Sequence, residues 1–328
     1  MKKVLVLGFT VLTVALLSAC GGPKELQLLW WSDGTEGEVM QELLDQYEQE
    51  TGVIIELVEI PYGDYETRLR TMIRGNEAPA LARVTEGHLN NFKDMILPLD
   101  DTITASNFTN LFYNDDNEVI GLPMDITANG LFVNLDILDA HNVNYPSIGE
   151  SWTWDEFEDE MDKLRGQSGV SNPGVFDPQA HRFFPMIYQH GVTIWDTPYT
   201  SSNLTSDGAV KALTRLADYY SNGFIDDSVF AGSNAAGLFR TGAYGFHMSG
   251  NWNVSAYQDL DFNWTVVPMP TDSGDRATIL GGKSLAAFEG SNLEDEALDF
   301  IAWMAEAEHH DQFTGGVPYL TPRLGAEV

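Results

Sequence analysis

The sequence predicts an α/β protein of two discontinuous lobes. Three observations carry that reading: a strand–helix–strand opening, amphipathic helices recurring along the chain, and two extended crossings between bodies. The 328 residues suffice for about two domains at roughly 150 residues each, so each can bury a core without a disulfide or metal staple. With 43% hydrophobic and 20% charged residues, the composition excludes a disordered or fibrous chain.

Residues 26–31 form a short apolar run that ends at the turn Ser32-Asp33-Gly34. Val39, Leu43, Leu44 and Tyr47 then recur at helical spacing up to Gly52, and the β-branched stretch 53–60 supplies a second strand that Pro61 ends. Strand, helix and strand in this order imply a parallel sheet. A helix over 64–74 follows, with Tyr65, Leu69, Met72 and Ile73 on one face and Gly75 as its stop. Residues 121–133 are apolar at both ends with a polar centre, which suits a hinge. Thr153 and Glu156 make a T-x-x-E capping box; Trp154, Phe157, Met161 and Leu164 give the helix it opens a buried face, which assigns Trp154 to the core. Ser206 opens a helix with Val210, Leu213, Leu216, Ala217 and Tyr220 inward, and Asn292 opens another with Ala297, Leu298, Ile301 and Ala302 on its apolar side. The strand-like stretch 263–269 between them is the second crossing.

Against 17 Lys+Arg stand 49 Asp+Glu, a net charge of -32, which excludes nucleic-acid binding by phosphate neutralisation and sets the surface against an acidic membrane. The one cysteine, Cys20, excludes an intramolecular disulfide and any Cys-rich zinc or iron–sulfur site. Lys2 and Lys3, the apolar run 4–17 and the small residues after it have the layout of an export signal, and the run is shorter than the ~20 residues a membrane helix needs. Leu17-Ser18-Ala19-Cys20 resembles a bacterial lipobox. On that resemblance 1–19 is a signal peptide, Cys20 carries the lipid, and 20–25 is a tether.

Gly282-Lys283-Ser284 has the tail of a phosphate-binding loop, but Ala277 stands where that motif needs its first glycine. The pair His309-His310 reads as a helix-end dipole interaction rather than a metal site, and no cofactor is called for. What the chain does carry is aromatic residues beside polar ones at element ends: Trp30-Trp31-Ser32-Asp33, Thr85-Glu86, Asp125, Trp195-Asp196 and Gly250-Asn251-Trp252. An indole face packs on the C–H face of a sugar ring while Asp, Glu and Asn satisfy its hydroxyls, so these pairings suit a neutral, hydroxyl-rich ligand.

Residues 238–252 (LFRTGAYGFHMSGNW) resemble a phrase of the extracellular solute-binding proteins of ABC importers, the large family-1 group of sugar-binding lipoproteins. The resemblance extends through the lipobox, Trp31, Gly121-Leu122-Pro123, Thr153-Trp154-Asp155-Glu156-Phe157 and Gly316-Val317-Pro318. It implies a periplasmic-binding-protein-like fold, two α/β lobes joined by hinge strands around a ligand cleft. The division expected is 26–124 with 267–312 as the first lobe and 125–266 with 313–328 as the second. It further implies a monomer that takes a carbohydrate and delivers it to an ABC permease in the membrane. Carried over by position, Trp31, Asp33, Thr85 and Glu86 line the cleft from the first lobe, Asp125 follows the first hinge strand, Trp252 is the stacking platform of the second, and Asn251 beside it contacts the ligand. Gly281 and Gly282 let backbone approach the ligand, and Trp195 is a further contact. Family members continue for several helices beyond 316–318, whereas this sequence ends at Val328, which implies a trimmed second lobe or an incomplete gene product and leaves Arg323 at a frayed end.

Two other readings compete. The same architecture with a cationic cargo such as a polyamine would also use Trp and Asp, and a secreted glycoside hydrolase would also need carboxylates and cleft tryptophans.

Overall fold

Strand β1 (Leu26–Trp30) is buried on both faces, which is why it reads as a nearly unbroken apolar run. The computed structural model describes residues 26–326 apart from 33, 148, 177–178, 198 and 273–275; Cys20, the leader and Asp33 lie outside the described residues. After β1 come α1 (Glu36–Thr51), β2 (Ile55–Glu59), α2 (Tyr62–Arg74), β3 (Leu81–Thr85), α3 (Glu86–Phe92) and β4 (Leu122–Thr127). Helix α1 ends where expected because Gly52 takes φ 77° and returns its N–H to the carbonyl of Glu48 at 2.8 Å.

The chain then crosses to a second body. There it forms β5 (Asn129–Asn134), α4 (Leu135–Ala140), α5 (Trp154–Asp162), β6 (Asn172–Val175), α6 (Ala180–Gln189), α7 (Asp207–Ser221), α8 (Ala235–Arg240), β7 (Tyr244–Gly250), α9 (Val254–Tyr257) and β8 (Trp264–Val267). It returns with β9 (Gly281–Ala287), α10 (Glu294–Met304) and α11 (Ala307–Gly316).

The first sheet has the order β2-β1-β3-β9-β4, with β1 parallel to β2 and β3, and β9 antiparallel to β3 and β4. One face buries Leu28, Trp30, Leu43, Phe300 and Phe313 under α1, α10 and α11, and the other buries Leu29, Leu69 and Phe288 under α2 and α3. The second sheet has the order β6-β7-β5-β8 and is likewise covered on both faces. The Thr153–Glu156 box forms, with Thr153 N–H donating to Glu156 at 2.8 Å and Glu156 N–H to the Thr153 hydroxyl at 3.1 Å, and Trp154 behind it is fully buried.

The lobe boundaries differ from those expected. Asp125 sits within β4, which stays paired to β9 through Thr127, so the first crossing falls at Ala128. Val267 and Met269 pack in the second-lobe core, and Gln189 holds the carbonyl of Ala277 at 2.6 Å, so the chain does not return to the first sheet until β9. Phe313, Val317 and Tyr319 pack in the first-lobe core and Leu320 bridges to Ile126, which places 313–320 on the first lobe rather than the second. Arg323 is tied there as well, through an ion pair whose Nε lies 2.6 Å from Asp311. The histidine pair lies in the first turn of α11: His309 stacks on Trp303 at 3.6 Å and bonds its carbonyl at the end of α10, and His310 bonds the carbonyl of Pro123.

One buried group makes second-lobe stability depend on pH. His247, on β7, is sealed among Phe132, Phe239 and Tyr257, and hydrogen-bonds the Tyr257 hydroxyl at 2.6 Å. Burial, with a smaller push from the Arg182 guanidinium, lowers its pKa to about 3. A depressed histidine stabilises the fold above its unfolded value, near 6.5, and that contribution drains away as pH falls toward 3. The melting temperature should therefore drop between pH 7 and 5, and His247→Asn should flatten that slope while lowering stability at pH 7. An equal slope in the variant would remove His247 as the cause.

Candidate functional site

The lobes meet where the residues after β7 and helix α9 of the second touch the end of β4, the turn before α1 and the segment after α11 of the first. Trp252, just past β7, packs against the apolar core of the first lobe. Gly250 lets it do so: a Cβ there would run into the indole, whose ring lies flat over the strand end. Over the ring stands the Arg182 guanidinium at 4.3 Å from its centroid, and His181 lies at 6.1 Å. One turn further along the chain, α9 touches the turn before α1, so that a Cβ on Gly34 would sit 2.9 Å from the Cβ of Ser255.

Beneath this junction the first lobe ends in a layer of buried charge. Arg83 (β3), Glu36 (first residue of α1), Asp125 (β4) and Lys283 (β9) come together with Tyr319, all with little or no exposure. The Arg83 Nη2 is 3.3 Å from Glu36 and 3.5 Å from Asp125, and its guanidinium lies over the rings of Trp30 and Trp31 at 4.5 and 4.8 Å. Lys283 Nζ is 3.7 Å from Asp125 and 4.0 Å from the centre of the Tyr319 ring, and the Tyr319 hydroxyl donates to Glu36. Two cations face two anions, so the layer is neutral as a whole, which is how four buried charges become tolerable. The two carboxyls respond differently. Burial pushes Asp125 up despite Lys283 and Arg83. For Glu36, burial is outweighed by Arg83 and the Tyr319 hydroxyl, which hold it below the usual carboxylate range.

The residues expected at the site are distributed as follows. Trp252 and Asn251 lie at the junction. Asn251 bonds the crossing backbone at Ile126 and Ala128. Trp31 is buried, its ring against Tyr65 at 4.6 Å, Tyr62 at 5.3 Å and His88 at 5.8 Å, so the aromatic surface this corner presents is the exposed Tyr62 above it. Asp125 is fully buried, and its Oδ1 accepts from the Lys283 N–H at 3.1 Å. Thr85 caps α3 in a capping box with His88, while Glu86 beside it is exposed. Gly281 and Gly282 admit this chain's own β4: a Cβ on Gly281 would press on Thr127, and one on Gly282 on the Asp125 carbonyl. Trp195 is half exposed in the loop between α6 and α7, bridged to Ser202, and no described ring contact joins it to the junction. Arg83, Glu36, Arg182, Tyr62 and Tyr319 were not singled out from sequence. Tyr62, an aromatic at the first position of a helix, meets the criterion applied to the tryptophans; the others carry no local signal.

Two sheets joined by crossing segments, with Trp252 at their junction, make a two-lobed architecture of the solute-binding kind. The family profile described as bacterial extracellular solute-binding protein matches residues 42–327, and the chain belongs to that family. It is 24% identical over 326 residues to a galactooligosaccharide-binding protein of Bacillus subtilis, covering 89% of this chain and 74% of that one. It is 21% identical over 303 residues to a lactose-binding protein of Rhizobium radiobacter, covering 87% and 71%. Among solved structures it resembles an ABC substrate-binding protein of Listeria monocytogenes in complex with cycloalternan, at a TM-score of 0.80 and 21% identity over 92% of this chain and 80% of that one.

Proposed function

We infer that the protein captures a neutral sugar or oligosaccharide between its lobes and, on closing, delivers it to an ABC permease, held outside the membrane by a lipid on Cys20. The observation that carries this reading is Trp252: an indole laid flat on a glycine at the lobe junction, where a guest would be gripped from both sides. The sugar-binding names of the relatives support the same cargo class. A micromolar complex needs only about -8 kcal/mol. Aromatic stacking at roughly 0.5–1.5 kcal/mol beyond area burial, apolar contact and satisfied hydroxyl bonds supply a surplus over hinge and ordering costs. Arg182 must leave the ring for a sugar to take that face, which costs about 0.5–2 kcal/mol of cation–π attraction and returns a guanidinium able to donate to hydroxyls.

A cation already on the indole disfavours a polyamine, which would meet like charge there. A thermal-shift screen of galacto- and maltooligosaccharides against spermidine separates the cargo classes, because a ligand of the folded state raises the melting temperature. For a sugar that scores, Trp252→Ala should weaken binding by well over tenfold in calorimetry with the fold intact. Retained affinity contradicts the site, and new reducing ends on incubation with oligosaccharide would replace the transport reading with hydrolysis.

A further inference from the structure

Resting on the sugar-receptor reading, we propose that Asn251 is a positioning residue: it ties the platform Trp252 to the crossing between the lobes, so that the seat of the indole and the angle of the hinge are set together. Ala128 is the single residue between β4 of the first sheet and β5 of the second. Asn251 grips it twice, its backbone N–H donating to the Ala128 carbonyl at 3.1 Å and its side-chain oxygen accepting from the Ala128 N–H at 3.2 Å. The side-chain amide then donates to the carbonyl of Ile126 at 3.3 Å and to that of Pro318 at 3.5 Å. Ile126 is itself paired in both directions with Leu320, at 2.8 and 3.2 Å, so one second-lobe side chain holds two first-lobe segments that are distant in sequence.

The chemistry asks for an amide. Only a group that both accepts and donates can hold Ala128 N–H on one side and two carbonyls on the other. Aspartate has the same shape and keeps the acceptor, but sets a carboxylate oxygen against two carbonyl oxygens. Nothing but one peptide bond separates this clasp from Trp252, whose ring rests on Gly250 immediately before it. Any rotation at Ala128 that opens the lobes must stretch the clasp or carry the Gly250–Trp252 corner with it, and a guest pressing the indole acts on the hinge by the same route.

The test uses protein labelled with 5-fluorotryptophan, whose eight indoles give separate fluorine resonances, with Trp252→Phe identifying the line of interest. Asn251→Ala and Asn251→Asp are compared with the parent, first without sugar and then by calorimetry with the best oligosaccharide of the screen. Both variants should shift the Trp252 line in the sugar-free protein while lines of remote indoles such as Trp154 stay in place, and both should bind the sugar about tenfold more weakly. A residue serving only general stability would lower the melting temperature without moving that one line. An unmoved Trp252 line in both variants overturns the proposal, as does a moved line with parental sugar affinity. If the parent binds none of the sugars, the receptor reading falls while the sugar-free spectra still decide whether Asn251 positions the ring.

Discussion

Oxidising a Gly34→Cys/Ser255→Cys protein, in a background without Cys20, is expected to lock the lobes and stop exchange of cargo. Gly34 precedes α1 in the first lobe and Ser255 lies in α9 of the second, and a Cβ placed on Gly34 comes within 2.9 Å of the serine Cβ. A disulfide wants its Cβ atoms about 3.5–4.5 Å apart, so the turn has only to yield by under about 1 Å. The crosslink would tie the turn before α1 directly to α9, one helical turn along the chain from the Asn251 clasp, so that a covalent bond joins the lobes beside the crossing. Protein oxidised before sugar is added should show no binding in calorimetry, protein oxidised with sugar present should retain it through dialysis, and dithiothreitol should restore parental behaviour in both. Parental exchange by fully oxidised protein would mean that cargo does not enter by separation of the lobes.

Replacing Arg83 should cost the first lobe about 3–5 kcal/mol, because it leaves buried charge without its partner. Arg83 is fully buried and faces Glu36 and Asp125 while spanning the rings of Trp30 and Trp31. Arg83→Met keeps much of the volume but leaves two buried carboxylates sharing Lys283. Burial already pushes Asp125 up, so in the variant it should take a proton, and the deficit should shrink as pH is lowered toward 5. Adding Asp125→Asn restores one cation to one anion and should recover part of the loss, a non-additivity that a double-mutant cycle by urea unfolding measures directly. A single-variant loss within 0.5 kcal/mol of zero would show that the layer is not held by its charge balance.

These two sites bear unequally on what could be read from sequence. The Thr153–Glu156 box, the apolar stripe of α1 and its Gly52 stop are local, their partners lying within a turn or two, and each forms as read. The charge layer draws Glu36, Arg83, Asp125 and Lys283 from four separate elements and Tyr319 from the segment after α11, and no spacing along the chain joins them.

The same division holds for the residues expected to bind cargo. That this chain makes two α/β bodies followed from periodicity and turn residues, and that Trp252 stands at an element end from the Gly250-Asn251-Trp252 phrase, because alternation and helical spacing report which face of an element meets apolar neighbours. Whether an aromatic or a carboxylate at an element end faces solvent or interior depends on what distant chain covers it. Tyr62 and Tyr65 of α2 cover Trp31; Lys283 of β9 and Arg83 of β3 close over Asp125; α1 and α11 take Tyr319 into the first lobe. Those coverings are contacts across tens to hundreds of residues, created when the sheets assemble, so they belong to the tertiary structure alone.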